Sequence, residues 1–258
     1  MNTSAEGLRV LVTAGAAGIG LAIATAFQTG GSKVFICDID ADPLAATARN
    51  LPKIGFMKAD VADPASVDAM FDDAIRFLGG LDVLVNNAGI AGPTAQVEDI
   101  AIADWDRTVA VDLNSMFYCT RRAVPLLKAA GGGSIINLSS GAGRLGFPLR
   151  TPYAAAKWGV IGLTKSLAME LGPFNIRVNA ILPGAVEGDR VNRIIAARAE
   201  ARHISFEDAR QQLVAPISLR RMVKGEDIAN MAVFVATQAG SNISGQALSV
   251  CGDLGYLA

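Results

Sequence analysis

Along the chain, short apolar runs alternate with longer stretches whose apolar positions recur at helical spacing. The short runs, rich in Val, Ile and Leu, predict strands at Leu8–Thr13, Lys33–Asp38, Ile54–Lys58, Leu81–Asn86, Gly133–Ser139, Asn175–Leu182 and Gly245–Val250. The intervening stretches predict helices at Gly18–Thr29, Asp42–Asn50, Ala65–Leu78, Asp104–Lys128, Tyr153–Leu171, Asp189–Leu213 and Gly225–Thr237. The strand runs are apolar throughout rather than alternating, so both of their faces are buried, as in a parallel sheet clad by helices. Right-handed crossovers then give one doubly wound α/β domain over residues 1–258, with a sheet of about seven mostly parallel strands. The most polar long segment, Glu187–Arg210, carries the only histidine, His203. It reads as a helical lid over about 187–215 rather than a second domain, because no linker or low-complexity tract sets it apart.

Composition narrows the partners. Hydrophobic residues make up 51% of the 258 positions, ample for a deep core, and 23 Lys+Arg against 24 Asp+Glu leave a net charge of -1. No basic excess is offered to nucleic acid or to an anionic membrane surface. Three scattered cysteines, Cys37, Cys119 and Cys251, with no Cys-x-x-Cys pair and a single histidine, lack the ligands of a zinc cage. That sparse thiol set suits a reducing cytoplasm, and the polar start Met1–Arg9 shows no signal-peptide pattern. Apolar runs are cut by Pro or charge well short of the ~20 residues that span a bilayer.

Thr13-Ala14-Gly15-Ala16-Ala17-Gly18-Ile19-Gly20 lies between the first strand and the first helix. Glycines there let the turn close and let backbone N–H groups at the positive end of the helix approach a pyrophosphate. The spacing is G-x-x-x-G-x-G rather than the commoner G-x-G-x-x-G, and a tight packing turn would show the same glycines. The second strand adds Asp38 and, after it, Ile39. A carboxylate about twenty residues beyond the glycines accepts the ribose hydroxyls of an adenosine and repels a 2′-phosphate. With no Lys or Arg in the turn to neutralise that phosphate, NAD is favoured over NADP.

Tyr153-Ala154-Ala155-Ala156-Lys157 places a phenol and an ammonium one helical turn apart on the same face, behind Pro152. A phenol of ordinary pKa ~10 is a poor base at neutral pH, and lowering it by about three units takes ~4 kcal/mol of preferential stabilisation of its anion. Lys157 and a cationic nicotinamide would supply this together. Ser140 closes the fifth strand, at the sheet end where α/β folds hold ligands, and can hold a substrate oxygen there.

Taken together, these residues resemble the short-chain dehydrogenase/reductase family over about Leu8–Asp253. The resemblance implies a Rossmann-type fold and a small-molecule substrate undergoing hydride transfer. It places Gly15, Ala17, Gly18, Ile19, Gly20, Asp38 and Ile39 on the dinucleotide, Asp60-Val61 on the adenine, and Asn87-Ala88-Gly89 after the fourth strand. Pro183-Gly184 and the backbone N–H of Val186 would meet the nicotinamide end. Ser140 would orient substrate, Tyr153 would act as general acid/base, and Lys157 would assist it while binding the nicotinamide ribose. It also implies a homotetramer, assembled through the helices Asp104–Lys128 and Tyr153–Leu171 and the tail Tyr256-Leu257-Ala258.

Two positions depart from the family pattern. In Val111-Asp112-Leu113, Asp112 stands where the family has a catalytic Asn. A carboxylate can accept the same hydrogen bonds and would pair with Lys157, which leaves open a retained relay with a shifted pH dependence, an impaired relay, or a purely structural role. Gly188 stands where a cofactor-binding Thr is common, with Glu187 and Asp189 beside it as replacements. For the substrate, Arg150 before Tyr153, Arg190 and Arg193 in the lid, and Arg221 after it are a candidate clamp for a carboxylate or sulfonate, as on a sugar acid or sulfosugar. Salt bridges within the lid, or a place at a subunit interface, are the alternative. The competing activities are an NADPH-dependent 3-oxoacyl carrier-protein reductase docking its carrier on Arg121 and Arg122, and a nucleotide-binding protein without turnover.

Overall fold

The computed structural model describes residues 4–255, apart from the side chains at 190, 197, 198 and 201. Its first half runs β1 (Arg9–Thr13), α1 (Gly18–Thr29), β2 (Lys33–Asp38), α2 (Ala41–Asn50), β3 (Gly55–Lys58), α3 (Pro64–Leu78), β4 (Val83–Asn86), α4 (Ile102–Val109) and α5 (Ser115–Ala129). The second half runs β5 (Gly133–Leu138), α6 (Thr151–Leu171), β6 (Ile176–Pro183), α7 (Asp189–Arg202), α8 (Phe206–Val214), α9 (Gly225–Ala236) and β7 (Ala247–Val250). The seven strands pair in the order β3-β2-β1-β4-β5-β6-β7, every pair parallel. The order reverses between β1 and β4, and such a switch point opens a crevice at the carboxyl ends of the strands.

Period-two alternation divides the strands' side chains between two cores. Val10, Val12, Val34 and Ile36 pack with Ile23 and Phe27 of α1 and Ile228, Ala232 and Val235 of α9. Leu11, Phe35 and Leu84 face the other way, onto Met70 and Phe71 of α3 and Cys119, Ala123 and Leu127 of α5. Burial pushes the Cys37 thiol up to about 12 and the Cys119 thiol well above its ordinary value, so both serve as packing atoms rather than nucleophiles. Polar groups thread the second layer: Asn86 donates to Asn137 Oδ1 at 2.9 Å, and Asn137 donates to Thr164 Oγ1 on α6 at 2.9 Å.

The strands fall where the apolar runs predict them, but two helices do not. The stretch predicted as one helix over Asp104–Lys128 is α4, a π-helical turn at Ala110–Asn114, and α5. The lid helix predicted over Asp189–Leu213 is broken at His203, whose left-handed φ of 53° ends α7. Ser205 then caps α8, its Oγ accepting from the Asp208 N–H at 3.0 Å and donating to the Asp208 carboxylate at 2.7 Å. The two short helices enclose a third small core of Val191, Ile195, Ala209 and Val214, with Met222 from the following loop. Among the described residues, no helix is long and apolar enough to cross a membrane. The tail Tyr256–Ala258, expected at a subunit surface, lies outside the described residues.

Candidate active site

The glycine turn closes against the sheet for steric reasons that can be read atom by atom. A Cβ on Gly15 would stand 2.6 Å from Ile36 Cγ2, and one on Gly20 would stand 2.0 Å from the Ala14 carbonyl oxygen. Gly18 differs: its φ is +53°, yet a Cβ there would meet nothing within 4 Å, so this part of the turn faces open space. Ala17 supplies no side-chain cap, and the first turn of α1 holds no acidic residue. The positive helix end is therefore offered to the crevice over the exposed Ala17 and Gly18 and half-buried Ile19.

Asp38 closes β2 beside this turn, its carboxylate held by the N–H groups of Ala16 and Asp40, each at 3.2 Å, with Ile39 exposed next to it. Across the crevice, Thr13 Oγ1 accepts from the N–H groups of Asn87 at 3.0 Å and Ala88 at 3.1 Å. The Asn87 amide donates back to the carbonyls of Thr13 and Ala14 at 3.0 Å, which sews the loop after β4 to the glycine turn. The Asp60 carboxylate caps the Ala62 N–H at 2.9 Å and pairs with Arg107 at 3.2 Å, while Val61 is buried beside it.

At the other end of the crevice, α6 begins at Thr151 with Pro152 in its first turn, and presents half-buried Tyr153 and buried Lys157 one turn apart. The Lys157 ammonium donates to the Leu138 carbonyl at 3.1 Å and stands 3.8 Å from Asp112 Oδ2 and 5.6 Å from the centroid of the Tyr153 ring. Asp112, 0% exposed, lies in the π-helical turn and accepts the Ile90 N–H on Oδ1 at 2.7 Å. One extra residue in a helical turn re-aims its side chains, a device common at functional sites. Gly89 makes the approach possible: a Cβ there would lie 3.2 Å from Lys157 Nζ and 3.3 Å from Asp112 Oδ1.

Ser140 follows β5, and its Oγ accepts the Ala142 N–H at 3.2 Å. The neighbouring Ser139 hydroxyl donates to the Lys157 carbonyl at 2.8 Å, tying this segment to α6. Arg150 precedes α6, donates to the Ala91 carbonyl, and lies over the rings of Phe147 at 5.1 Å and Tyr153 at 5.3 Å. After β6 ends at Pro183, Gly184 passes so close to β7 that a Cβ would sit 2.8 Å from Cys251 Cα. Ala185 and Glu187 bond to Val223, so the extended Val186 between them turns its own N–H the opposite way. Gly188, at a φ of +139°, immediately precedes α7. Arg193 and Arg221 are exposed on and after the lid, and the side chain of Arg190 lies outside the described residues.

The structure thus brings Tyr153, Lys157 and Asp112 together, with Ser140 on the segment that Ser139 ties to α6, and sets the glycine turn beside Asp38. Three supporting groups escaped the sequence reading: Thr13 as the staple under the Asn87 loop, the Leu138 carbonyl that holds Lys157, and the Asn137 bridge to α6. Only Asn137 left a sequence signal, a polar residue inside the otherwise apolar run Ile135-Ile136-Asn137-Leu138.

The chain resembles known proteins over nearly its whole length. Residues 14–256 match the family model described as enoyl-(acyl carrier protein) reductase. The chain is 38% identical to trans-4-hydroxycyclohexanecarboxylate dehydrogenase of Sinomonas cyclohexanicum, over 94% of this chain and 90% of that protein. Among solved structures, an actinorhodin polyketide ketoreductase variant with NADPH superposes with a TM-score of 0.92 at 31% identity, covering 99% of both chains. A 7α-hydroxysteroid dehydrogenase with NADH and 7-oxo glycochenodeoxycholic acid gives 0.89 at 32% identity, covering 99% of this chain and 96% of that one.

Proposed function

The chain belongs to the short-chain dehydrogenase/reductase family, an oxidoreductase fold acting on CH–OH groups, and from that premise we propose that it interconverts a secondary alcohol and a ketone with NAD. The observation that carries this reading is the buried Lys157 ammonium one turn behind the Tyr153 phenol, at the mouth of a crevice whose far end is a glycine turn.

The residues present fit a dinucleotide. Gly18 leaves open space where a side chain would stand, and the uncapped start of α1 directs N–H groups at a pyrophosphate. Asp38, already oriented by two backbone N–H groups, accepts the ribose hydroxyls and repels a 2′-phosphate, which supports NAD over NADP. Asp60 and Val61 would meet the adenine, and Val186 would offer its N–H at the nicotinamide end. When bound, the nicotinamide takes up or returns the hydride. The Ser140 hydroxyl holds the substrate oxygen, Tyr153 removes or returns its proton, and Lys157 favours the phenolate while donating to a ribose hydroxyl.

The substrate reading is a small hydroxylated anion such as a sugar acid or sulfosugar, met by Arg150, Arg190, Arg193 and Arg221 beneath a lid formed by α7 and α8. Support comes from the guanidinium of Arg150 against the Tyr153 ring and from the carboxylate in the name of the Sinomonas relative's substrate. Carrier-protein docking on Arg121 and Arg122 has less support, because Arg122 is already spanned by Asp68 at 2.6 Å and Asp72 at 2.8 Å. The free thiols suit work in the cytoplasm, and the apolar outer faces of α5 and α6 suit assembly into a homotetramer.

The test is Tyr153→Phe. Turnover of wild type is scored by nicotinamide absorbance over sugar acids, sulfosugars, polyols and neutral alcohols. The variant is expected to lose about a thousandfold in kcat while its NADH affinity, read by fluorescence titration, stays within about threefold. Wild type is expected to bind NADH at least about tenfold more tightly than NADPH. Undiminished turnover without the phenol hydroxyl overturns the mechanism.

A further inference from the structure

We propose that Asp112 is a positioning residue which keeps Lys157 as a charge-neutral buried pair and thereby sets the pH at which Tyr153 takes up a proton. The proposal rests on the acid/base reading given above for Tyr153. Its physical basis is a small set of contacts. Asp112 is 0% exposed and Lys157 3% exposed, and their charged atoms stand 3.8 Å apart with the Gly89 backbone packed against both. An ammonium alone beside a phenol favours the phenolate; an ammonium with a carboxylate behind it presents a dipole, whose pull on the phenol is weaker.

Other charges around the pair are few. Arg150 lies over the Tyr153 ring, whereas the loops Gly89–Ile90 and Ser139–Gly143 bring no titratable side chain. The charges of α4, at Asp104, Asp106 and Arg107, are exposed. The carboxylate has a second task. By accepting the Ile90 N–H at 2.7 Å it fixes the loop whose next carbonyl, that of Ala91, receives Arg150. An amide oxygen at the same place could hold Ile90 but could not neutralise Lys157.

Asp112→Asn separates these two tasks. In the alcohol-oxidation direction, with NAD and alcohol saturating, the acid limb of kcat against pH is expected to move to lower pH by about half a unit or more. A carboxylate that serves only to hold the loop would leave the limb where it is, whatever happens to the plateau, and that result overturns the proposal.

A second readout needs no turnover. Urea midpoints are measured for Lys157→Met, Asp112→Asn and the double variant. Each single change leaves one buried charge unpaired, so the double variant is expected to unfold at a midpoint no lower than either single one. Strictly additive losses would show that the two groups do not act as a pair. Should Asp112→Asn fail to fold, Asp112→Ser replaces it in both experiments. Should no alcohol be oxidised by any of these proteins, the functional reading falls, while the urea cycle still decides whether the pair exists.

Discussion

Gly18 and Gly20 stand two residues apart in one turn and answer to different constraints. Alanine at Gly20 would drive a methyl into the Ala14 carbonyl and the Asn87 amide, at 2.0 and 2.5 Å, both of which are part of the staple between β1 and β4. Alanine at Gly18 meets no atom and costs only the left-handed backbone, ~1–2 kcal/mol. Gly18→Ala is therefore expected to fold with a melting temperature lowered by a few degrees and to lose at least tenfold in NADH affinity, by fluorescence titration. Gly20→Ala is expected to lose much of its soluble yield. At this scale the sequence was most legible for placement, since Asp38 does end β2 beside the glycine turn and Tyr153 and Lys157 do stand one turn apart on α6. It was silent wherever a backbone atom does the work, as the Leu138 carbonyl does for Lys157, because every residue has a carbonyl.

Among the elements, β1 and β4 are registered at their entry by one bidentate contact. Arg9 meets both oxygens of Asp82 at 2.7 and 2.8 Å, and Asp82 also accepts the Arg9 N–H at 2.9 Å. Partial burial alone would raise the Asp82 carboxyl, but the hydrogen bonds and charge of Arg9 outweigh it and hold the group below the ordinary carboxylate range. A lowered folded-state value means that the stabilisation is complete above the unfolded value of about 4 and fades as pH falls through the folded one. Asp82→Asn is expected to cost about 1–2 kcal/mol at pH 7 by urea unfolding, with the gap to wild type closing below about pH 4. Strands were predicted well because continuous apolar runs of this length have little else to become. The helix breaks were not. A π-helical turn keeps the apolar faces on either side in near-helical register, so periodicity passes through Ala110–Asn114 without a mark. The lid break did leave one, since Ser205 followed by Asp208 is a capping pattern, but the polar sequence on both sides hid it.

On the scale of the whole molecule, the outer faces of α5 and α6 leave Phe117 and Trp158 each 53% exposed. Phe117 lines a groove of about 530 Å³ together with Leu113, Asn114, Tyr118, Gly159 and Leu163. Side chains of this size on adjacent helices form the kind of patch that subunit contacts cover. If the proposed assembly forms through this face, Phe117→Asp is expected to lower the mass seen by sedimentation velocity, and an unchanged mass would overturn this contact. The sheet order was legible only as a class, because chain direction and crossover handedness restrict topologies without ranking strand neighbours. The buried link between Asn86 and Asn137, which stand opposite one another in the β4–β5 register, bears on that choice. A one-residue slip would break this link between two buried amides, whereas in an all-aliphatic sheet the slipped and native alignments would differ far less. The amide bridge therefore favours the observed alignment of β4 with β5, and with it the mutual placement of the loops that follow the two strands.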